Sequence, residues 1–252
     1  MEITLMQGLG IAALALVLGI DFWLEALFLF RPIIVCTLTG AILGDLQTGL
    51  ITGGLCELAF AGLTPVGGVQ PPNPVLAGIM TTVLAYINGL DAKAALGLAL
   101  PFSLLMQYVI LLCYSLFSLL MSKADLMAQK ADTKGIARLN YLTMIIVAML
   151  YAVIAFLCAY LAQGAMRSLV QSLPQFLTHG LEVAGGVLPA VGFGLLLRVM
   201  LKTHFLPYLI AGFLFVCFIK IDNLLPVALL GLAFAIYEFY NTKSKEAQNE
   251  GI

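Results

Sequence analysis

The hydrophobic positions of this chain form long runs separated by short polar breaks, without the two-residue alternation of β-strands. The apolar runs are 3–20, 33–43, 50–63, 75–86, 94–120, 141–161, 181–197, 205–219 and 224–240. A helix needs about 20 such residues to cross a bilayer, whereas outer-membrane strands would alternate over about ten. The pattern predicts an all-α integral membrane protein, a multi-helix bundle embedded in a lipid bilayer.

The segment from Gly40 to Asn73 departs from this regular pattern. The run 33–43 is too short to span alone, Gly44-Asp45 interrupts it, and apolar residues resume at 50–63. Pro65–Pro74 cannot continue a regular helix, because proline lacks the amide donor and biases the preceding residue away from helical backbone. Carboxylates and irregular backbone at membrane depth are tolerated mainly where they are buried or line a cavity. We therefore predict broken or re-entrant helices around a Gly/Pro-rich core that lines a transport pathway.

Composition agrees with a membrane protein and excludes several other classes. The chain is 62% hydrophobic and 10% charged, where a soluble domain averages about 25% charged residues. Its net charge of −1 gives no reason to expect nucleic acid. The five cysteines form no CxxC pair, so we expect reduced, buried thiols and no metal site. We expect one membrane-embedded domain over 1–240 and a disordered cytoplasmic tail over 241–252.

Basic residues predict the orientation of the chain in the membrane. They cluster at 123–138, at Arg198 with Lys202, and at Lys243 with Lys245. Excess Lys and Arg mark cytoplasmic loops. Crossings at 141–161 and 181–197, followed by two more, place all three clusters on one side. We expect that side to be the cytoplasm, with the soluble-looking stretch 122–140 as a loop there.

Two carboxylates of the irregular segment are the first candidates for binding. Glu57 has apolar neighbours and follows Gly53-Gly54, so it could accept charge-assisted hydrogen bonds from hydroxyl groups of a solute such as a sugar. The alternative is a carboxylate that satisfies nearby backbone amides. Asp45 could also contact a solute, although we favour a role as the N-cap of a helix that begins at Leu46.

Two amides flank the double proline of the same segment. Gln70 and Asn73 supply both donors and acceptors, which suits hydroxyl recognition. They could equally satisfy backbone groups freed by the break in the helix. Four residues are expected to break or hinge the segment: Gly53, Gly54, Pro65 and Pro72.

Two further stretches allow two interpretations each. Asp21 and Glu25 are four residues apart and would share a helical face. With Trp23 and Arg31 nearby, this stretch could be an interfacial anchor or an acidic face directed at partner helices. The glycines and proline of 185–194 could form a second irregular segment similar to 40–73. Close helix packing through small residues is the favoured alternative.

No motif for covalent chemistry stands out in the sequence. The glycines lack the spacing of a phosphate-binding loop. The histidines, His179 and His204, have no convincing phospho-acceptor context. We therefore expect a non-catalytic chain without a cofactor.

Residues 40–57, GAILGDLQTGLITGGLCE, resemble the signature of the mannose-family enzyme IIC proteins of the bacterial phosphoenolpyruvate:sugar phosphotransferase system. The signature positions are filled by Gly40, Gly44, Asp45, Gly49, Gly53, Gly54 and Glu57. Cys56 departs from the Leu or Thr expected there. FWLEALFLFRPIIVCTLTGAILGD, TPVGGVQPPNP and LPFSLLMQYVI resemble more specifically the N-acetylgalactosamine/galactosamine branch, and Pro72-Asn73 stands where the mannose branch tends to have Pro-Asp. The resemblance extends over nearly the whole chain.

The resemblance implies a translocation subunit in a larger assembly. Enzyme IIC of this family acts with the membrane subunit enzyme IID in the bacterial inner membrane. Soluble IIA and IIB relay phosphate from the phosphocarrier protein HPr, and IIB phosphorylates the sugar. A trimer of IIC–IID pairs with elevator-like movement of a sugar-carrying core is implied, and the segment 40–73 would belong to that core. The basic loops could dock IIB, although topology-setting charge is the favoured interpretation.

Two other functions fit the same residues. In an ion-coupled secondary transporter, Asp45 and Glu57 would bind protons or cations. In a structural membrane subunit, the partner chain would hold the entire sugar site.

Overall fold

Helices account for nearly all of the described chain in the computed structural model, which describes residues 2–63, 71–219 and 225–249, without the side chains of 169 and 242–249. The α-helices are α1 Leu5–Leu24, α2 Pro32–Leu43, α3 Leu46–Phe60, α4 Pro74–Asn88, α5 Ala92–Gln129, α6 Thr133–Phe156, α7 Gln163–Ser172, α8 Gln175–Met200, α9 Leu206–Phe218 and α10 Leu225–Asn249. A π-helical turn, Leu157–Leu161, follows α6, and a 3₁₀ turn, Thr203–Phe205, precedes α9.

Four helical stretches of the described residues are long and apolar enough to cross a membrane. They are Leu5–Leu24, Ala92–Gln129, Thr133–Leu161 and Gln175–Met200. Shorter apolar helices, among them α2 and α4, pack against each other, and α4 also contacts α1, α5 and α6. The predicted all-α membrane bundle is thereby confirmed.

Short polar side chains determine where several of these helices begin. Thr4 and Gln7 form a reciprocal capping box at the start of α1. Asp45, Asn73 and Asp91 each accept a hydrogen bond from a first-turn amide of α3, α4 and α5. Such a cap satisfies one of the amides that a helix start leaves without a partner.

Helix α4 lies at the centre of the packing in the first part of the chain. Every residue from Val75 to Ala85 is buried, as expected for a helix that is apolar on all sides. It contacts α2, α3 and α5, while α1 packs antiparallel to α6. Gly8 lies against Tyr160 and Gly19 against Ala148, so small residues bring α1 and α6 close together.

The predicted interruption at Gly44-Asp45 is present and separates α2 from α3. Gly44 ends α2 with a φ of 84°, a left-handed conformation that glycine adopts without strain. Helices α2 and α3 have 12 and 15 residues, about 18 and 22 Å at 1.5 Å per residue, which is shorter than a bilayer core. The two form a packed helical hairpin.

Substituting the motif glycines should show which of them the hairpin requires. A Cβ on Gly40 would lie 2.6 Å from the Asp45 carbonyl oxygen and 2.7 Å from the Gly49 Cα, both backbone atoms that cannot rotate away. We expect Gly40→Ala to destabilise the fold by about 1–3 kcal/mol, measured as a lowered melting temperature in detergent. Gly54 has open space around an added Cβ, so Gly54→Ala is the matched control. An equal loss in both variants would contradict this account.

Two sequence expectations differ from the structure. The stretch 122–140 is mostly helical: α5 continues to Gln129 and α6 begins at Thr133, because Ala, Leu, Met, Gln and Lys are strong helix formers even in water. Glu25 does not share a helical face with Asp21, since it ends α1 in a left-handed conformation with φ 47°.

The chain divides into two compact units, residues 1–196 and 197–252. The first contains α1 to α7 and nearly all of α8. In the second, α9 and α10 contact each other, and the Tyr208 hydroxyl donates to Glu238 Oε2 at 2.6 Å. The expected organisation, one membrane-embedded domain with a separate tail, stays a prediction.

Candidate functional site

Asp45 lies in the break between α2 and α3 and caps α3. Its Oδ1 accepts from the Thr48 amide at 3.0 Å, and its Oδ2 accepts from the Thr48 hydroxyl at 2.6 Å. The cap that the sequence favoured is therefore confirmed. Contact of Asp45 with a solute stays a prediction.

Glu57, on the last two turns of α3, reaches the start of α2. Its carboxylate forms an ion pair with Arg31, and its Oε2 accepts from the Ile33 amide at 3.2 Å. Arg31 immediately precedes Pro32, the first residue of α2. A carboxylate near a helix N-terminus is favoured by the helix dipole as well as by the hydrogen bond. Glu57 thus joins the two arms of the hairpin through one cation and one amide.

Arg31 lines a cavity of about 520 Å³, within the ~300–1,000 Å³ range of small-ligand sites. The cavity lies where the ends of α1 and α3 approach the starts of α2 and α4. The residues around this cavity, called here the aromatic cavity, are Phe22, Trp23, Glu25, Phe28, Phe30, Arg31, Leu63, Pro71, Pro74 and Tyr114. Five aromatic rings with one carboxylate and one guanidinium offer both flat apolar surfaces and charge-assisted hydrogen bonds.

The loop between α1 and α2, residues 25–31, forms one wall of this cavity. Asp21, only 5% exposed, accepts from the Leu27 amide at 2.8 Å and from the Leu29 amide at 2.6 Å. Glu25 and Phe28 have φ values of 47° and 57°, which non-glycine residues rarely adopt. The Asp21 carboxylate therefore holds the loop in a conformation that its sequence alone would not favour.

Asn73 is buried immediately behind the cavity and bonds to three other elements of the structure. Its Oδ1 accepts from the Leu76 amide at 3.0 Å, and its Nδ2 donates to the Tyr151 hydroxyl. The Ser103 hydroxyl donates to the Asn73 carbonyl at 2.8 Å. With 1% of its surface exposed, Asn73 fixes the start of α4 against α5 and α6. Contact of its side chain with a sugar stays a prediction.

The remaining predicted residues fall in different places. Gln70 and Pro65 lie outside the described residues. Pro72 lines a separate apolar cavity of about 280 Å³ together with residues of α3, α5 and α8. A Cβ on Gly53 would approach the Ile33 carbonyl oxygen at 3.1 Å, so Gly53 allows close contact between α3 and α2. The hinge role of Gly53, Gly54, Pro65 and Pro72 stays a prediction.

Two glycines of α8, Gly185 and Gly192, serve close packing, as the sequence favoured. An added Cβ on Gly185 would collide with the Lys93 carbonyl oxygen, and one on Gly192 would lie 2.6 Å from the Ala59 carbonyl oxygen. Helix α8 is continuous through Pro189. Among the described residues, no group of three His, Cys, Asp or Glu side chains could hold a metal ion.

Sequence reasoning missed Arg31, Asp21 and Tyr151 as parts of this site. Arg31 could have been found, because a cation in an otherwise apolar stretch needs a counter-charge and Glu57 is available. Asp21 was recognised as unusual, but its partners are backbone amides of a loop with no sequence signature. Tyr151 lies far from Asn73 along the chain, and nothing in the sequence pairs them.

The fold and the cavity together define a polytopic helical membrane protein with a site sized for a small solute. Residues 5–237 match the protein family described as the sorbose-specific IIC component of the phosphotransferase system. The chain belongs to this family of membrane components.

Individual relatives agree with the family match. The chain is 74% identical over 97% of its length to N-acetylgalactosamine permease IIC component 1 of Escherichia coli strain K12, covering 92% of that protein. It is 30% identical over its full length to the sorbose-specific EIIC component of Lacticaseibacillus casei, covering 91% of that protein. It is 27% identical over 94% of its length to the mannose-specific EIIC component of Escherichia coli strain K12, covering 89%.

Two solved structures share the fold. One, described as a membrane protein, aligns with a TM-score of 0.85, 27% identity and coverage of 95% of this chain and 97% of the other. A chain of the cryo-electron-microscopy structure of the mannose transporter ManYZ with microcin E492 aligns with a TM-score of 0.61 at the same identity and coverage.

Proposed function

We propose that this chain is the membrane permease subunit, enzyme IIC, of a phosphotransferase system that takes up N-acetylgalactosamine or galactosamine. The observation that carries the proposal is the 74% identity, over 97% of the chain, to a relative named as an N-acetylgalactosamine permease IIC component. Relatives named for sorbose and mannose are much less similar, at 30% and 27% identity. The sugar is therefore assigned to the amino-sugar branch.

The aromatic cavity is the proposed sugar site within this chain. The Arg31 guanidinium would donate to hydroxyl or acetamido oxygens, and the Glu25 carboxylate would accept from hydroxyl groups. Rings such as Trp23 and Tyr114 would cover the apolar face of the pyranose. Glu57 is joined to the cavity through Arg31, and its role would be to hold the guanidinium in place.

The aromatic cavity lies on the side of the bundle where α5 ends and α6 begins. Trp23 lines the cavity and donates to Asn140 near the start of α6 at 3.3 Å, and Tyr114 lines it from the second half of α5. Four cations lie nearby in the chain, at the end of α5 and the start of α6: Lys123, Lys130, Lys134 and Arg138. If basic residues mark the cytoplasmic side, the cavity lies toward the cytoplasm, where a soluble subunit could phosphorylate the sugar.

The proposed assembly follows the family. The matched chain in the ManYZ complex supports a membrane partner of the IID type. We further propose a trimer of IIC–IID pairs in the bacterial inner membrane, elevator-like movement of the sugar-carrying part, and phosphoryl relay from HPr through IIA to IIB. This chain would carry the sugar without performing the phosphoryl transfer.

Sugar binding to the full-length chain, purified alone and with its membrane partner, tests the proposal. We expect N-acetylgalactosamine or galactosamine to bind about tenfold more tightly than mannose, the difference that one polar contact makes. Preference for mannose would overturn the amino-sugar assignment. Binding that resides wholly in the isolated partner would show that this chain is a structural subunit.

Uptake measurements separate the proposal from an ion-coupled transporter. We expect uptake to require phosphoenolpyruvate and to persist when the ion gradient is collapsed. Uptake that stops with the gradient would instead assign Asp45 and Glu57 to ion coupling.

A further inference from the structure

Trp23, the sole tryptophan of the chain, lies on the last turn of α1 and lines the aromatic cavity. Its indole packs against two rings of α5. The Tyr114 ring is tilted by 55° with its centroid 6.0 Å away, and the Phe117 ring lies edge-to-face at 6.1 Å. These contacts keep the indole beside α5, but an apolar surface can pack in more than one rotamer. Ring packing alone therefore does not fix the orientation of Trp23.

The polar edge of the same indole is held from a third helix. Trp23 Nε1 donates to Asn140 Oδ1 at 3.3 Å, near the start of α6. An indole N–H can only donate, so the group that faces it must be the amide oxygen of Asn140. Asn140 itself does not line the aromatic cavity. It can therefore act on a ligand in the cavity only through Trp23.

The packing of α1 against α6 determines where Asn140 lies. The two helices are antiparallel, and Gly19 of α1 lies close to Ala148 of α6. Trp23 lies further along α1, and Asn140 lies nearer the start of α6, as antiparallel packing requires. The backbone of Asn140 belongs to α6, and its carbonyl accepts from the Thr143 hydroxyl at 2.9 Å. A rigid helix thus presents the Asn140 amide to the indole.

From these contacts we infer that Asn140 is a positioning residue for the sugar, because it holds the Trp23 indole that covers the sugar in the aromatic cavity. The inference rests on the proposed function. Since its N–H is bonded to Asn140, the indole meets the sugar through its carbon surface rather than as a hydrogen-bond donor. A ring that is already fixed loses less conformational freedom on binding. The Asn140 hydrogen bond should therefore strengthen sugar binding without touching the sugar.

Asn140→Leu removes the acceptor at similar side-chain size, whereas Asn140→Asp retains one. In calorimetric titrations of the full-length chain with its membrane partner, N140L should bind N-acetylgalactosamine about threefold to tenfold more weakly, the range for one hydrogen bond. N140D should bind it as the wild type does. Time-resolved fluorescence anisotropy of the chain purified alone should show more local motion of Trp23 in N140L than in N140D. The matched control is S118A, which removes a hydroxyl of α5 outside the cavity lining, bonded to the Ser115 carbonyl. It should match the wild type in both measurements.

A double-mutant cycle shows whether Asn140 acts through Trp23. W23F keeps an aromatic ring but has no N–H, so adding N140L to W23F should change the sugar affinity by less than about twofold. An equal loss of affinity in the Trp23 and W23F backgrounds, or wild-type affinity in N140L, would overturn the inference and leave the proposed function in place. Absence of N-acetylgalactosamine binding to the wild-type complex would overturn the proposed function, and the inference with it.

Discussion

Sugar uptake should fall by about tenfold when Glu57 is replaced by Gln, while membrane insertion is unchanged. Gln is nearly isosteric and its carbonyl oxygen can still accept from the Ile33 amide, so the capping contact is kept. What is lost is the charge that holds the Arg31 guanidinium. Uptake of radiolabelled amino sugar in cells expressing equal amounts of each protein measures the effect.

Arg31→Gln should have the larger effect, between about tenfold and a hundredfold, because it removes the guanidinium proposed to donate a charge-assisted hydrogen bond to the sugar. The side chains of Arg31 and Glu57 are 44% and 22% exposed, so solvent weakens the pair itself and folding should suffer little. The double variant, Arg31→Gln with Glu57→Gln, separates the role of Arg31 in sugar binding from the role of the ion pair in folding. Removing both charges leaves neither unpaired, so the melting temperature of the double variant should stay close to that of the wild type while its uptake stays low.

Glu182→Gln is the control for these variants. Glu182 also lies near a nitrogen-bearing side chain, with His179 Nδ1 at 3.6 Å from its Oε2, but both residues are on α8 and away from the aromatic cavity. Its uptake should equal that of the wild type. Normal uptake by Glu57→Gln would remove Glu57 from the site, and recovery of uptake in the double variant would show that the pair is only structural.

Asp21→Ala should disorder the wall of the aromatic cavity and lower the stability of the protein. Two part-buried amides, those of Leu27 and Leu29, would lose their acceptor, at about 0.5–1.5 kcal/mol each. Glu25 and Phe28 would then be free to leave their left-handed conformations. We expect a lower melting temperature together with at least about tenfold weaker sugar binding.

Asp21→Asn distinguishes positioning from general destabilisation, because Asn retains one acceptor oxygen. Compared with Asp21→Ala, Asp21→Asn should bind the sugar more tightly and melt at a higher temperature. Asp91→Ala is the matched control: Asp91 caps α5 by accepting from the Lys93 amide at 3.1 Å, at an exposed site outside the cavity lining. Asp91→Ala should lower the free energy of unfolding by about 1 kcal/mol and leave sugar binding unchanged. Unchanged binding by a folded Asp21→Ala protein would contradict the positioning role.

The local features of the fold were predictable because each depends on neighbouring residues. Gly44-Asp45 must end one helix and begin another, since glycine adopts positive φ freely and an aspartate accepts from first-turn amides. Pro74 could begin a helix but could not continue one. The lengths of the helices around 122–140 were less predictable, because charged helix formers are compatible with both a loop and a helix that extends into water.

The sequence by itself determined that this is a multi-helix membrane protein with a break at Gly44-Asp45, and its motif led to the correct family. Only the tertiary structure decided what the polar residues do. It paired Glu57 with Arg31, enclosed Asn73 with Tyr151 and Ser103, and directed Asp21 to a loop. Hydrophobic periodicity and capping are set within a few residues, whereas the partner of a charge at membrane depth depends on which distant segments pack beside it.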